Sequence, residues 1–119
     1  MVYTRNKLGS MVLGMILNDL GEYGFVSKYR NSLCKELFTD RQHAFVYGII
    51  ERMSDDCLMS FSPKDVFDYA ERNNIKYGNV SKFCLFMCEL ATENYDPQNF
   101  RKNLKELVKL YIIRTKIHV

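Results

Sequence analysis

The chain has 119 residues, a formal net charge of +3 and 47% hydrophobic residues. This length suits one domain with a modest core, and the composition excludes both a disordered chain and a fibrous repeat. The net charge is too small to indicate a nucleic-acid partner by itself, so a basic surface has to come from local clustering. The sequence therefore predicts a single folded domain over residues 1–119.

Cellular location is indicated by the cysteines and by the apolar segments. The four cysteines show no paired metal-ligand spacing and predict free thiols in a reducing compartment. The apolar run at residues 11–17 is too short for a membrane span and lacks a signal-peptide cleavage pattern. We expect a cytoplasmic protein that does not contact a membrane.

Helical spacing dominates the first third of the chain. Residues 7–20 place apolar side chains three and four apart and predict a first helix that ends before Gly21 and Gly24. Residues 25–29 and 33–38 predict two short helical turns.

The middle of the chain contains two helix starts. Thr39 and Gln42 match a capping box, which satisfies backbone N–H groups at a helix N-terminus and predicts a helix there. Ser62 and Pro63 supply an N-cap and a proline at the first helical position, and predict another helix. The apolar residues expected to face the core behind these starts are Phe45, Val46, Ile49, Ile50, Met53, Val66, Phe67 and Ala70.

The C-terminal third predicts two further helices, one over residues 80–92 and one that begins at Asp96. The connection between them is so short that they are expected to run antiparallel as a hairpin. The apolar face expected on the first of them comprises Val80, Phe83, Cys84, Met87, Leu90 and Ala91. The predicted fold class is all-α, with a small helical bundle at residues 1–77 followed by a long antiparallel C-terminal helical hairpin at residues 78–119.

The last helix carries two apolar stripes, since each residue advances about 100° around the axis. The first stripe, expected to pack on the preceding helix, is Phe100, Leu104, Leu107, Val108 and Tyr111. The second stripe, about a third of a turn away, is Leu110, Ile113 and Ile117. One neighbouring helix cannot cover both, so the second stripe packs either on the rest of this domain or on a second chain. The predicted interface residues are Leu107, Leu110, Tyr111, Ile113 and Ile117.

Cations line the same helix, and those predicted as contacts for an acidic partner or for phosphate are Arg101, Lys102, Lys105, Lys109 and Lys116. A solvated face is the simplest interpretation of such a row. Only phosphate contacts would make affinity depend steeply on salt. The aromatic residues follow core spacing more often than they alternate with Lys and Arg, as a base-stacking surface would require.

Catalytic chemistry is not indicated. The sequence contains no G-x-x-x-x-G-K-[ST] phosphate loop. His43 is interpreted as a structural histidine with its hydrogen bonds satisfied. Cys84 and Cys88 share a helical face but have no second pair to complete a metal site. We predict no catalytic residue, no metal and no cofactor.

Three segments match a family pattern when they are taken together. The segment "VLGMILN" at residues 12–18 has the pattern of an opening helix. Phe38, His43 and Tyr47 fit an F-x4-H-x3-aromatic pattern. The segment "KFCLFMCEL" at residues 82–90 is followed by an Asn-Phe pair and a basic, apolar helix. Together they resemble the N-terminal domain of bacterial hexameric replicative DNA helicases of the DnaB type.

This resemblance implies a helical bundle with a hairpin that pairs between subunits to organise a ring, and a surface that docks primase and loader proteins. It predicts a homo-oligomer, a dimer or a ring, that serves DNA replication as a non-catalytic self-association and docking domain. The ATP-driven motor of the family is not in this sequence, so no helicase activity is implied. Two alternatives stay open: a free-standing regulator that binds or blocks a helicase ring, and a basic helical DNA-binding module.

Overall fold

The computed structural model describes residues 3–117, with side chains described as far as Arg114. Within that part the chain forms helices and no strand. The helices are α1 (Arg5–Ile16), α2 (Phe25–Lys28), α3 (Arg41–Asp55), α4 (Pro63–Arg72), α5 (Val80–Glu93) and α6 (Phe100–Ile117). Short 3-10 turns precede α3 and α6. The all-α class is confirmed, and α6 is consistent with the predicted hairpin.

Helix α1 lies at the centre of the fold. It packs against α5, α6 and α3, and both arms of the C-terminal hairpin contact α1 more extensively than they contact each other. The first apolar stripe of α6 therefore packs mainly on α1, not on α5 as its sequence spacing suggested. At the start of α6, Phe100 stacks on Phe25 with ring centroids 4.0 Å apart. One continuous core joins all of these helices.

The closest approach between α1 and α5 is at Gly14. A Cβ atom built on Gly14 would lie 2.4 Å from the carbonyl oxygen of Leu90 and 2.5 Å from the Cβ of Asn94. Both distances are far shorter than van der Waals contact, and the nearer atom belongs to the backbone. Only glycine therefore allows the two helices to meet at this spacing.

Two asparagines tie these helices together where they meet. The side-chain amide of Asn18 donates to the carbonyl of Gly14 at 3.0 Å and to that of Ala91 at 2.7 Å. The buried Asn94 amide donates to the carbonyl of Leu90 at 2.9 Å. These bonds satisfy carbonyls near the C-terminal ends of both helices, which would otherwise lack partners in a dry contact.

The loop after α1 is organised by the buried carboxylate of Asp19. Its oxygens accept from the backbone N–H groups of Gly21, Tyr23 and Phe25, at 3.0 to 3.1 Å. The carbonyl of Asp19 also accepts from the N–H of Phe61 at 3.2 Å. This one residue therefore fixes the turn into α2 and holds the segment before α4 against it.

Three apolar residues that the sequence placed on core faces are exposed instead. Leu20 is 67% exposed because α1 ends at Ile16 and the Asp19 turn carries the chain away. Phe45 and Val80 are 39% and 49% exposed. Phe45 lies at the mouth of a cavity, and Val80 is the first residue of α5.

Capping at the helix starts follows the sequence closely but not everywhere. Ser62 caps α4 as predicted, and Asn79 caps α5. The cap of α3 is Asp40, not Thr39. The Asp40 carboxylate accepts from the N–H groups of Gln42 and His43 and is a charge-assisted acceptor, which a threonine hydroxyl is not.

Gly14→Ala tests the helix contact. We expect it to lower the free energy of unfolding by about 3 kcal/mol, because the added methyl group forces the α5 backbone away. The matched control is Gly48→Ala in α3, where an added Cβ meets no atom within 4 Å. That change should raise the free energy of unfolding by about 0.5 to 1 kcal/mol through helix propensity. Urea denaturation measures both, and equal effects would contradict this account of Gly14.

Candidate interaction surfaces

The predicted interface residues of α6 separate into buried and exposed groups. Leu107 is fully buried in the chain's own core, so its side chain is not available to a partner in this fold. Leu110 and Tyr111 are half-buried and pack against the same core. Ile113 is 46% exposed. The side chain of Ile117 lies outside the described residues.

Ile112 is a further exposed residue that the stripe analysis missed, at 45% exposure. It comes three positions after Lys109 and seven after Lys105, so it interrupts the lysine row with an apolar side chain. That interruption is a sequence signal that could have identified it. Ile112 and Ile113 form one exposed apolar surface, called here the α6 tip.

The cations of α6 are on the surface. The side chains of Arg101, Lys102, Lys105, Lys109 and Arg114 are all exposed. Within the part of the chain with described side chains, none of them forms an ion pair. The side chain of Lys116 lies outside that part. The α6 tip is thus flanked by Lys109 and Arg114.

A groove with apolar and acidic lining lies on another part of the molecule, between the Asp19 loop, the segment before α4, and α4. It has a volume of about 630 Å³. Its apolar lining includes Leu20, Met53, Leu58 and Met59. Its charged lining comprises three carboxylates and one cation: Asp65, Asp68, Glu71 and Arg72. Leu20 and Met59 are both largely exposed. We call this the acidic groove.

The negative charge of Asp65 in this groove is stabilised by hydrogen bonds with Ser60 and with the N-cap residue Ser62. Burial alone would raise the pKa of Asp65, but donation from the hydroxyls of Ser60 and Ser62, at 2.5 and 2.8 Å, lowers it below its ordinary value. The backbone N–H of Asp65 in turn donates to the Ser62 hydroxyl at 3.2 Å. Asp65 is therefore a carboxylate at neutral pH.

A second cavity, of about 280 Å³, opens between the N-terminal ends of α3 and α5. Four aromatic rings and two cations line it: Phe45, Tyr77, Phe83, Phe86, Arg41 and Lys82. The sequence did not predict this site, because its residues come from two segments, 41–46 and 77–86, that are far apart in the chain. We call it the α3–α5 cavity.

His43 is buried between α1, α3 and α5. Its ring packs on Phe86 with centroids 5.6 Å apart. Its Nδ1 atom has no hydrogen-bond partner, so the predicted satisfaction of this histidine is wrong at that atom. Burial lowers the pKa of His43 below 6.5, and the nearby Asp40 carboxylate opposes that shift only in part. His43 is therefore neutral in the fold at pH 7.

The cysteines and the remaining carboxylates, considered as possible reactive groups, do not form a metal cluster among the described residues. The four cysteines are free thiols. Asp55 pairs with Arg30, and Asp56 accepts from the Tyr69 hydroxyl at 2.5 Å. Among the described residues, no cluster of three His, Cys, Asp or Glu side chains is arranged for a metal ion. Over the same residues, no helix combines the length and the apolar character needed to cross a bilayer.

These features define an all-helical domain with a basic and apolar helix end, an acidic groove, and an aromatic and basic cavity. Comparison of the chain with protein-family models, with curated proteins and with solved structures finds no match. Functional conclusions therefore rest on the surfaces themselves and on the resemblance in sequence.

His43→Leu tests the buried histidine. Because the folded state binds the histidine proton more weakly than the unfolded chain, stability should fall as the pH drops below 6.5. The variant should lose less stability than the wild type between pH 7.5 and 5.5, and should be about 1 kcal/mol more stable at pH 7.5 because a buried atom without a partner is removed. Thermal denaturation at several pH values measures this.

The matched control is His118→Gln, which removes the other histidine of the chain. It should lose as much stability between pH 7.5 and 5.5 as the wild type does. If His43→Leu also loses as much stability as the wild type over this range, the assignment of the pH dependence to His43 is refuted.

Proposed function

We propose that this chain is a non-catalytic self-association and protein-docking domain, and that its setting is DNA replication. The single observation that carries the first part is the α6 tip, where two neighbouring isoleucines remain about half exposed between cations. Burying such side chains contributes about 1.5 to 3 kcal/mol each. A second protein surface can supply that burial.

The acidic groove is the surface that we propose receives the tip, in a second copy of this chain. Its floor is apolar, and its exposed Met59 has a flexible side chain that adapts to an inserted helix. Its three carboxylates outnumber the one cation that lines it, Arg72, and complement Lys109 and Arg114 beside the tip. One of them, Asp68, also pairs with Lys64 at the surface. A single sequence thus carries a basic apolar end and an acidic apolar groove.

This pairing is heterologous, because the tip and the groove are different surfaces of one molecule. Heterologous contacts form rings when the rotation between subunits closes, and open chains when it does not. A ring is the arrangement that the resemblance to replicative helicases implies. The docking of primase, loader or helicase chains is proposed on the resemblance alone.

Ile112→Asp combined with Ile113→Asp tests the association. It should weaken self-association at least about a hundredfold, since two apolar contacts are replaced by buried charges. Sedimentation velocity over a range of concentrations measures it. The control is Leu85→Asp, which adds the same kind of charge at an exposed apolar residue of α5 and should leave association unchanged.

Charge reversal tests the proposed pairing. Lys109→Glu with Arg114→Glu should weaken association, and Asp68→Lys with Glu71→Lys in a second chain should restore it in the mixture. Restoration in the mixture alone supports the tip and groove contact. A wild-type protein that stays monomeric at high concentration contradicts the proposal as a whole.

A further inference from the structure

Aromatic rings that pack on one another line the α3–α5 cavity, and one of them is exposed at its rim. Tyr77 and Phe83 stack with centroids 4.6 Å apart, and Phe45 meets Phe83 edge to face at 6.1 Å. Phe83 is buried beneath the other two, while Phe45 is 39% exposed at the rim. A flat aromatic group can therefore enter the cavity and contact ring faces and edges already held in place.

Cations occupy the rim of this cavity at unfavourable helix positions. Arg41 is the first residue of α3, and Lys82 is the third residue of α5. A positive charge in the first turn of a helix is opposed by the helix dipole and is therefore destabilising. In α5 no acidic residue of the first turn offsets this, whereas in α3 the N-cap carboxylate of Asp40 lies next to Arg41 in the chain. Both cations are exposed, and neither forms an ion pair within the described part of the chain.

Two amides complete the rim. Gln42 and Asn79 line the cavity beside the cations. Three N–H groups of the first helical turns are already used, because Asp40 accepts from Gln42 and His43 and Asn79 accepts from Lys82. An anion at this rim would therefore be bound by the side chains of Arg41 and Lys82. No carboxylate lines the cavity among the described residues.

We infer that the α3–α5 cavity binds a nucleotide, with the base against Phe45 and the phosphate between Arg41 and Lys82. Base stacking on aromatic rings combined with cations along the backbone is the general mode of single-strand recognition. The volume of about 280 Å³ accommodates one base, not a duplex. The nucleotide unit can come from a single strand or from the free mononucleotide.

The test uses the full chain and a short fluorescent oligothymidine, with binding measured by anisotropy at several salt concentrations. Arg41→Gln with Lys82→Gln should reduce the slope of log affinity against log salt by about 0.7, because the one phosphate held between these two cations is no longer neutralised. This variant should melt no lower than the wild type, since both changes remove unfavourable charges from first turns.

The matched control removes two cations of α6, through Lys102→Gln and Lys105→Gln, and leaves the cations beside the α6 tip in place. It has the same change in net charge and should keep the salt slope of the wild type. An equal loss in this control would assign binding to the α6 lysine row and overturn the inference. Undetectable binding of the wild type at low salt would overturn it as well.

Phe45→Leu tests stacking while keeping an apolar side chain at the rim. It should weaken oligothymidine binding about fivefold or more. An abasic oligomer of the same length should bind the wild type more weakly than oligothymidine does, by a similar factor. It should bind Phe45→Leu and the wild type with equal affinity. If the abasic oligomer binds as tightly as oligothymidine, no base enters the cavity and the inference fails.

Competition identifies the source of the ligand. Displacement by thymidine monophosphate at concentrations comparable to those of the oligomer indicates a free nucleotide, and displacement only by single strands indicates a strand. Equally effective competition by polyglutamate would show a general anion site and overturn the inference.

Discussion

The contact between α1 and α5 at Gly14 is the constraint on which the rest of the structure depends. Since a Cβ atom there would lie 2.4 Å from the carbonyl oxygen of Leu90, the two helices meet backbone to backbone. Asn18 then reaches the carbonyls of both helices and closes the contact with hydrogen bonds. This places α5 on one side of α1 and leaves another side for α6. The α6 stripe that would otherwise pair with α5 is buried on α1 instead.

The surfaces follow from that arrangement. The first stripe of α6 is buried on α1, while Ile112 and Ile113 near the end of the helix stay exposed. The turn after α1, fixed by the buried carboxylate of Asp19, turns Leu20 outward and makes it part of the acidic groove. The buried His43 lies at the same junction of helices and stacks on Phe86, a residue of the α3–α5 cavity. The contacts that build the core therefore also decide which residues form the α6 tip, the acidic groove and the α3–α5 cavity.

Much of the fold could be predicted from local signals. The start of α4 could be predicted because a short polar side chain, Ser62, precedes an apolar run and because capping is a local interaction. The missed cap of α3 also has a local cause, since both Thr39 and Asp40 can cap and the carboxylate is the stronger acceptor. The exposure of Leu20 could not be predicted, because it depends on where Asp19 finds its three N–H partners. The cavity could not be predicted either, since Phe45 comes from a segment far in sequence from the one that carries Tyr77 and Lys82.

The sequence by itself determined the all-helical class, the approximate bounds of the long helices, and the excess of apolar and basic side chains on α6. Those properties depend on the spacing of residues within about two turns, which the sequence displays directly. Only the tertiary structure decided that α1 separates the hairpin arms, that Leu107 is core while Ile112 is surface, and that four aromatic rings meet two cations. These outcomes depend on contacts between distant segments, and those contacts are set by helix approach distances that no local pattern encodes.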